Sequence, residues 1–184
     1  MAFLIRPAGE DDAAAIAAIY RPYVEDSPIS FEERAPDAEE MKRRIVGDPP
    51  GFHPWFLAEE DGQVLGYAAS SPFRSRPAYR WTVETGIYLA PDVQGRGLGR
   101  ALLSKLLAVL ERQGYVAAIG AIALPNERSV AFHEKLGFTH TGTYRGVGFK
   151  LGEWLDVGLW QKDLTPRNVS PVEPRPFPEL ISPA

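Results

Sequence analysis

The segment from Gln94 to Arg100, QGRGLGR, combines residue types and a spacing that suit the binding of an anion. Its three alternating glycines have no Cβ atom, so the chain can turn sharply and bring backbone N–H groups close to a ligand. The stretch that follows has helical apolar spacing, and the first turn of a helix offers unpaired N–H groups and the positive end of its dipole. Arg96 and Arg100 add positive charge. We therefore predict a phosphate or pyrophosphate site here.

Two familiar phosphate-binding motifs do not fit this segment. A P-loop needs a Lys-Ser or Lys-Thr pair after its glycines, and Arg100 is followed by alanine. A dinucleotide-binding turn needs the spacing GxGxxG, whereas the third glycine, Gly99, is misplaced for that spacing. The alternative is a tight strand-to-helix connection without a ligand, although three alternating glycines are more than such a connection requires.

Glu84 is a candidate general base, because it stands in the middle of an apolar and β-branched stretch, WTVETGIYL. An unpaired carboxylate is costly to bury, and partial burial would raise its pKa toward a range useful for proton transfer. The other interpretation is an exposed glutamate on the strand surface, since Val83, Thr85 and Ile87 alternate onto the opposite side.

His133 is the second candidate for proton transfer. Imidazole titrates near neutrality, so it can act as an acid or as a base, and the sequence does not decide between the two. A histidine beside Phe132 on a helix can also be purely structural. His53 and His140 are interpreted as ordinary loop and strand-edge residues.

Composition excludes several other kinds of chemistry. The chain has 184 residues, enough for one domain, and contains no cysteine, so thiolate zinc sites, disulfides and cysteine nucleophiles are ruled out. Three scattered histidines make a metal site improbable, and we expect none. A net charge of −4 argues against nucleic acid as a partner. The sequence has no apolar run long enough to span a bilayer, so we expect no membrane association and a cytoplasmic location.

Hydrophobic periodicity and turn residues predict the elements that position these groups, in the order β-α-α-β-β-β-α-β-α-β-β. This order indicates a single α/β or α+β domain with a mixed sheet, spanning residues 1–164. The last 20 residues, 165–184, are rich in proline and are interpreted as a surface extension that packs on the domain or on a partner. The predicted strands are 3–5, 55–59, 64–70, 81–89, 115–124, 139–144 and 154–161, and the helices are 37–46, 98–113, 127–136 and one from 13 that Pro22 ends or kinks near Tyr20.

The pattern resembles the acyl-CoA-binding motif of the GNAT superfamily of N-acetyltransferases, [QR]-x-x-G-x-[GA], with Gln94, Gly97 and Gly99 at its fixed positions. Asn126 and Ser129 match the N-x-x-[SA] motif that such enzymes carry. A narrower resemblance, to phosphinothricin/methionine sulfone acetyltransferases, runs from about residue 3 to residue 164. It is carried by the blocks WTVE (81–84), LPN (124–126), HE (133–134), GFKLGEWLD (148–156) and WQ (160–161).

This resemblance implies a single GNAT-like domain in which acetyl-CoA lies between two splayed parallel strands, with helices on both faces of the sheet. It also implies that Glu84 and His133 are catalytic and that the enzyme is a homodimer. The residues implied to bind acetyl-CoA are Ile87, Tyr88 and Leu89 through their main chain, Gln94, Gly95, Arg96, Gly97, Leu98, Gly99 and Arg100 at the pyrophosphate, and Asn126 and Ser129 beyond. Asn126 also fits a helix N-cap, which is compatible with ligand binding.

The acceptor implied by the resemblance is a small amino acid analogue, whose carboxylate needs a cation. Arg74 and Arg80 are the candidates, with Arg76 a weaker one, because arginine can hold a carboxylate through two parallel hydrogen bonds. Phe31, Trp81 and Thr82 would line the same site. The sequence leaves open whether Lys150 and Trp154 line the pocket, pack internally or form a dimer contact.

The resulting prediction is an acetyl-CoA-dependent N-acetyltransferase that acts by direct transfer to the α-amine of phosphinothricin, methionine sulfone or methionine sulfoximine. Acetylation of a protein N-terminus or lysine, and a non-catalytic acyl-CoA-binding module, are the alternatives.

Overall fold

The strands that the structure describes form one mixed seven-stranded sheet. A computed structural model describes residues 3–93, 95–167 and 170–178. The strands are β1 (Leu4–Pro7), β2 (Trp55–Glu60), β3 (Gln63–Pro72), β4 (Thr82–Leu89), β5 (Ala117–Leu124), β6 (Thr139–Lys150) and β7 (Glu153–Asp163). Their order in the sheet is β1-β2-β3-β4-β5-β7-β6, in which β4 and β5 form the parallel pair and the other neighbours are antiparallel.

In the described residues the helices that cover the two faces of this sheet are α1 (Ala13–Glu25), α2 (Ala38–Val46), α3 (Leu98–Gln113) and α4 (Glu127–Lys135). Helices α1 and α2 pack with Tyr67 and Ala69 of β3 on one face. Helix α3 packs with Val83 of β4 on the other face, where Phe132 of α4 joins the same core. The predicted mixed sheet with helices on both faces is confirmed.

Helix α1 continues through Pro22 to Glu25, so of the two predicted effects of Pro22 the ending of the helix near Tyr20 is wrong. Proline removes one backbone donor from the helix, yet the N–H of Asp26 still bonds the carbonyl of Pro22 at 3.0 Å. Burial of Ile16 and Val24 on either side of the proline holds the helix together. Tertiary packing therefore outweighs the local cost of the proline.

Strand β6 is also longer than predicted, since it runs to Lys150 rather than ending at Tyr144. Its pairing with β7 shifts register between Tyr144 and Gly148, so a bulge lets the strand continue past Tyr144. Helix α3 begins and ends as predicted: Gly97 precedes it at φ +77° and Gly114 ends it in the left-handed region. No helix in the described ranges is long and apolar enough to cross a membrane.

Candidate active site

The parallel strands β4 and β5 separate partway along their length. Their pairing covers Thr82, Val83 and Glu84, which lie opposite Ala117, Ala118 and Ile119. Beyond Glu84, β5 continues to pair with β7 and β4 with β3, so the sheet stays intact on either side of the opening. The predicted splayed strand pair is therefore present, and Glu84 marks the point where the strands diverge.

A small cavity of about 60 Å³ lies in this opening, and we call it the gap cavity. It adjoins two larger spaces. On the α3–α4 face, the donor cavity shares Ile87, Asn126 and Ser129 with it. On the α1–α2 face, the acceptor cavity shares Thr85, Gly86, Tyr88 and Ala121 with it and contains Glu84. The donor and acceptor cavities therefore both adjoin the gap cavity, from opposite faces of the sheet.

The glycine segment stands at the donor cavity. Gly95 and Gly97 have φ values of +85° and +77°, and no atom lies within 4 Å of the place where a Cβ would stand. Both positions therefore need glycine for the backbone turn and leave open space above it. Gly99 lines the donor cavity beside Ile87 and Leu89. The start of helix α3 consequently presents its N–H groups to an open surface.

The two arginines of this segment differ in their contacts. Arg96 forms an ion pair with Glu60 at 2.7 Å, so its charge is already partly neutralised. Arg100 is exposed on the first turn of α3. Leu98, by contrast, is fully buried and anchors the helix start in the core. Gln94, predicted to belong to the same site, lies outside the described residues.

The main chain of β4 faces the gap at alternate residues. The Tyr23 hydroxyl donates to the Leu89 carbonyl at 2.6 Å and accepts from the Leu89 N–H at 3.3 Å. Because peptide direction alternates along a strand, Ile87 points its polar groups the same way. The peptide groups of Tyr88 point to β3 instead, where Tyr88 lies opposite Tyr67. Tyr88 therefore presents its side chain to the acceptor cavity rather than its main chain to the gap.

His133 is buried in the wall of the gap cavity, and its contacts fix its tautomer. Its Nδ1 lies 2.8 Å from the Ser129 carbonyl oxygen, which can only accept, so Nδ1 carries the proton. Burial lowers the pKa of His133, while this hydrogen bond opposes the shift. In the neutral ring Nε2 therefore has a free lone pair, and it lies next to Gly120 of β5.

Asn126 and Ser129 organise the start of helix α4. The Asn126 side-chain oxygen accepts from the Ser129 N–H at 3.0 Å, which is the predicted N-cap. Both residues also line the donor and gap cavities. The N-cap role thus fixes the position of residues that face the groove.

Glu84 lines the acceptor cavity, a space of about 470 Å³ between the sheet and helices α1 and α2. It is half-buried, and burial raises the pKa of its carboxyl above the ordinary value. A carboxylate with a raised pKa and access to a cavity can accept a proton from a bound amine.

The acceptor cavity also contains an ion pair that the sequence did not reveal. Arg44 of α2 makes two hydrogen bonds to Glu32, at 2.7 and 2.9 Å, and a third to Glu40. The Tyr20 hydroxyl donates to the same Glu32 carboxylate at 2.9 Å. With Asp48 and Glu84 also in its wall, the described lining of this cavity carries more negative than positive charge.

A fourth cavity, the arginine cavity, lies beside the acceptor cavity and shares His53 and Pro72 with it. Its volume is about 430 Å³, and Thr82 lies in its wall. Its described lining contains the three arginines that were predicted to bind the acceptor's carboxylate, Arg74, Arg76 and Arg80. None of these arginines is among the described residues around Glu84 itself.

Two predicted acceptor contacts have partners elsewhere. The Trp81 indole N–H donates to the Val172 carbonyl at 2.9 Å, so the C-terminal segment holds it. The Phe31 ring packs on Gly148 of β6 and is 39% exposed, and in the described linings its neighbour Glu32 reaches the acceptor cavity instead. Phe31 is therefore not among the described residues that line the acceptor cavity.

Lys150 and Trp154 lie in different environments, the first buried and the second exposed. The Lys150 ammonium is buried and donates to the carbonyls of Val24 and Ser30, both at 2.5 Å, so it packs internally and ties β6 to the end of α1. Trp154 is 70% exposed and stacks obliquely with Phe149 on the surface of β6 and β7. In the described ranges, no group of three His, Asp or Glu side chains is arranged to hold a metal ion.

The sequence matches the acetyltransferase (GNAT) family over residues 15–138. It is 40% identical over 179 residues to a phosphinothricin N-acetyltransferase of Streptomyces viridochromogenes, covering 91% of this chain and 93% of that one. It is 36% identical over 165 residues to an L-methionine sulfoximine/L-methionine sulfone acetyltransferase of Salmonella typhimurium, covering 87% and 94%. A GNAT superfamily phosphinothricin acetyltransferase from Sinorhizobium meliloti, solved in complex with AcCoA, has a TM-score of 0.87 at 34% identity, covering 96% of this chain and 99% of that one.

Proposed function

Because the chain belongs to the acetyltransferase (GNAT) family, we propose that it transfers the acetyl group of acetyl-CoA to the α-amine of a small amino acid analogue. Phosphinothricin, methionine sulfone and methionine sulfoximine are the proposed acceptors, since similar enzymes are named for them. The observation that carries the proposal is the opening between β4 and β5, where the donor cavity at the glycine segment and the cavity containing Glu84 both adjoin the gap cavity.

The charges around the acceptor side support an amino acid as the acceptor. The negative lining of the acceptor cavity favours an ammonium group, whereas the neighbouring arginine cavity favours a carboxylate or another anion. An α-amino acid carries both groups a few bonds apart. Arg74 is the proposed anion contact, because its guanidinium lies over the rings of Phe73 and Tyr79 and bonds the Tyr144 hydroxyl at 3.2 Å.

The donor side fits acetyl-CoA, which supplies the acetyl group as a thioester. The open space over Gly95 and Gly97 suits a pyrophosphate against the N-terminus of α3, and Arg100 adds charge there. Ile87 would bind the pantetheine arm through peptide groups that face the gap, and Leu89 would do so by exchanging the Tyr23 hydroxyl for the arm. Asn126 and Ser129 would form the wall opposite them.

Glu84 is the proposed general base. It takes a proton from the acceptor's ammonium or attacking amine, so that the nitrogen lone pair can form the new C–N bond while the C–S bond of the thioester breaks. The electron pair of that bond leaves with sulfur as the thiolate. The raised pKa of Glu84 makes it a better proton acceptor than an exposed carboxylate.

His133 is proposed as a proton or hydrogen-bond acceptor at the gap rather than as an acid. Its Nδ1 proton is committed to Ser129, and Nε2 of the neutral ring has no proton to give. Becoming an acid requires the charged ring, which burial disfavours.

The proposed assembly is a homodimer that uses the exposed apolar end of β6 and β7. Phe149 is 56% exposed and Trp154 is 70% exposed, and Val147 and Leu151 are exposed beside them in the same hairpin. Large exposed apolar patches mark interaction sites. Light scattering on the purified protein tests this proposal, because a monomeric mass at micromolar concentration contradicts it.

Residues 1–164 are proposed as the catalytic domain, since Glu84, His133 and the glycine segment all lie there. A cytoplasmic location is proposed because acetyl-CoA is an intracellular metabolite. N-acetylation removes the charge and nucleophilicity of an amine, so detoxification of, or resistance to, such analogues is the proposed role.

The test is thiol release from acetyl-CoA by the purified protein with six acceptors offered in parallel. We expect rapid turnover with L-phosphinothricin, L-methionine sulfone or L-methionine sulfoximine, and little with a polyamine, an aminoglycoside or a lysine peptide. Turnover of the peptide alone would support protein acetylation instead. Tight CoA binding without turnover of any amine would support a binding module.

A further inference from the structure

The C-terminal segment 170–178 is bound to the domain along its length. The Arg175 N–H donates to the Gln113 carbonyl at 2.8 Å, and the Phe177 N–H donates to the Gly51 carbonyl at 2.8 Å. The buried Gln113 side chain donates in return to the Arg175 carbonyl at 2.8 Å. The Phe177 ring packs edge-on against Phe56, 5.6 Å between centroids. These contacts fix the segment in one place against the end of α3 and the loop before β2.

This placement makes the segment one wall of the arginine cavity. Glu173 and Pro174 line the cavity together with Arg74, Arg76 and Arg80. Glu173 is thus the acidic side chain in the described lining of a cavity that otherwise presents three cations. Its position depends on hydrogen bonds of the backbone on both sides of it, at Val172 and at Arg175.

Glu173 binds Arg80 through both carboxylate oxygens. The Arg80 Nε and Nη2 atoms donate to it at 2.7 and 2.6 Å, and Nη1 donates to the Pro77 carbonyl at 3.1 Å. The guanidinium also lies 3.6 Å over the Trp81 ring. The edge of Arg80 that suits a bidentate carboxylate is therefore already occupied by the protein's own carboxylate.

Arg74 differs from Arg80 in this respect. The Arg74 guanidinium contacts the Tyr144 hydroxyl and the faces of the Phe73 and Tyr79 rings, and within the described residues no carboxylate pairs with it. Of these two arginines, one is thus available to an external anion and the other is neutralised by Glu173.

We propose that Glu173 is a specificity-determining residue, which holds Arg80 away from the acceptor and so disfavours acceptors that carry a second anionic group. This inference rests on the proposed function and deepens it. L-Phosphinothricin carries a phosphinate in addition to its carboxylate, whereas the sulfone group of L-methionine sulfone is neutral. The two acceptors therefore differ by one negative charge at the head group.

The experiment compares these two acceptors in the wild type, Glu173→Gln, Arg80→Gln and the double variant. The readouts are the ratio of kcat/KM values and the ratio of Kd values measured by calorimetry in the presence of CoA. We expect Glu173→Gln to shift both ratios about two- to fivefold toward L-phosphinothricin, in the range of exposed charge pairs. Arg80→Gln should shift them the opposite way, and the double variant should return toward the wild-type ratio. The shift should vanish in 1 M salt, where charges are screened within about 3 Å.

Glu111→Gln provides the control, since Glu111 is an exposed glutamate near Lys162 and Asp163, away from the arginine cavity. Ratios that stay unchanged in Glu173→Gln at low salt, or that move equally in Glu111→Gln, would overturn the inference. A wild type that binds both acceptors but acetylates neither contradicts the proposed function alone, because the Kd ratios still test Glu173. A wild type that binds neither acceptor overturns both.

Discussion

Replacing Glu84 by glutamine should make the enzyme nearly inactive and the fold more stable. Glutamine keeps the size of the side chain and removes the proton-accepting oxygen. General base catalysis contributes about 10²- to 10⁴-fold in rate, which corresponds to about 2.7–5.5 kcal/mol in the activation free energy. We expect kcat to fall by that factor while the Kd for CoA stays unchanged, since the described donor cavity does not include Glu84.

The stability change has a defined sign and pH window. Because burial raises the pKa of Glu84, the folded state binds its proton more tightly than the unfolded state does. The wild type therefore loses stability as pH rises from the unfolded pKa through the raised folded pKa, and the ionised carboxylate remains a penalty above it. Glutamine has no such penalty, so the variant should be more stable at neutral pH and equal to the wild type below about pH 4.

Thermal unfolding of both proteins between pH 4 and pH 8 measures this difference, with Glu111→Gln as the control for losing one charge. A gain of 1 kcal/mol corresponds to about 2–4 °C in Tm for a domain of this size. Equal Tm values across the range would refute the claim that Glu84 is held in a desolvated environment. Undiminished turnover at pH 8 would refute its role as the base.

Three further predictions concern the glycine segment, the His133 ring and the buried Lys150. Gly97→Ala and its control Gly62→Ala both place alanine at a φ of +77° with no atom within 4 Å of the new Cβ, so each should lower the unfolding free energy by about 1–2 kcal/mol. Only Gly97→Ala should also raise the KM for acetyl-CoA. An unchanged KM in Gly97→Ala contradicts the assigned site. Gly120→Ala puts a Cβ 3.0 Å from Cδ2 and 3.1 Å from Nε2 of His133, so the ring must be displaced. This displacement should lower kcat about 10- to 100-fold. A variant with the wild-type kcat would show that His133 Nε2 takes no part in catalysis. Lys150→Met leaves the carbonyls of Val24 and Ser30 without their donor, which should lower the unfolding free energy by about 1–3 kcal/mol for each carbonyl. Chemical denaturation measures this loss. An unaltered unfolding free energy would show that the buried ammonium contributes no net stability.

Much of the donor side could be predicted from sequence because its signals are local. Gly95 and Gly97 are required by backbone angles that few other residues adopt, and Asn126 caps the helix that it precedes. The period-two pattern around Glu84 likewise predicted a strand. Local rules of this kind operate within a few residues, so one sequence is enough to read them.

The acceptor side was predicted less completely, because its contacts join distant parts of the chain. Arg44 reaches Glu32 twelve residues away, and Arg80 reaches Glu173 across 93 residues. Glu40 and Arg44 are four residues apart on helix α2, a spacing typical of an ion pair. The spacing does not indicate, however, which surface of the protein the pair faces. Side-chain pairing over such distances depends on the packed fold rather than on spacing.

The alternation of side chains along β4 has a consequence for how such an enzyme can evolve. Glu84, Gly86 and Tyr88 belong to the acceptor side, whereas Ile87 and Leu89 belong to the donor side, although all lie within six consecutive residues. Substitutions that remodel the choice of amine can therefore accumulate at one set of positions while the other set continues to hold the acyl donor. Because different residues of one strand serve the amine and the acyl donor, specificity for the amine can change by mutation while binding of the donor is retained.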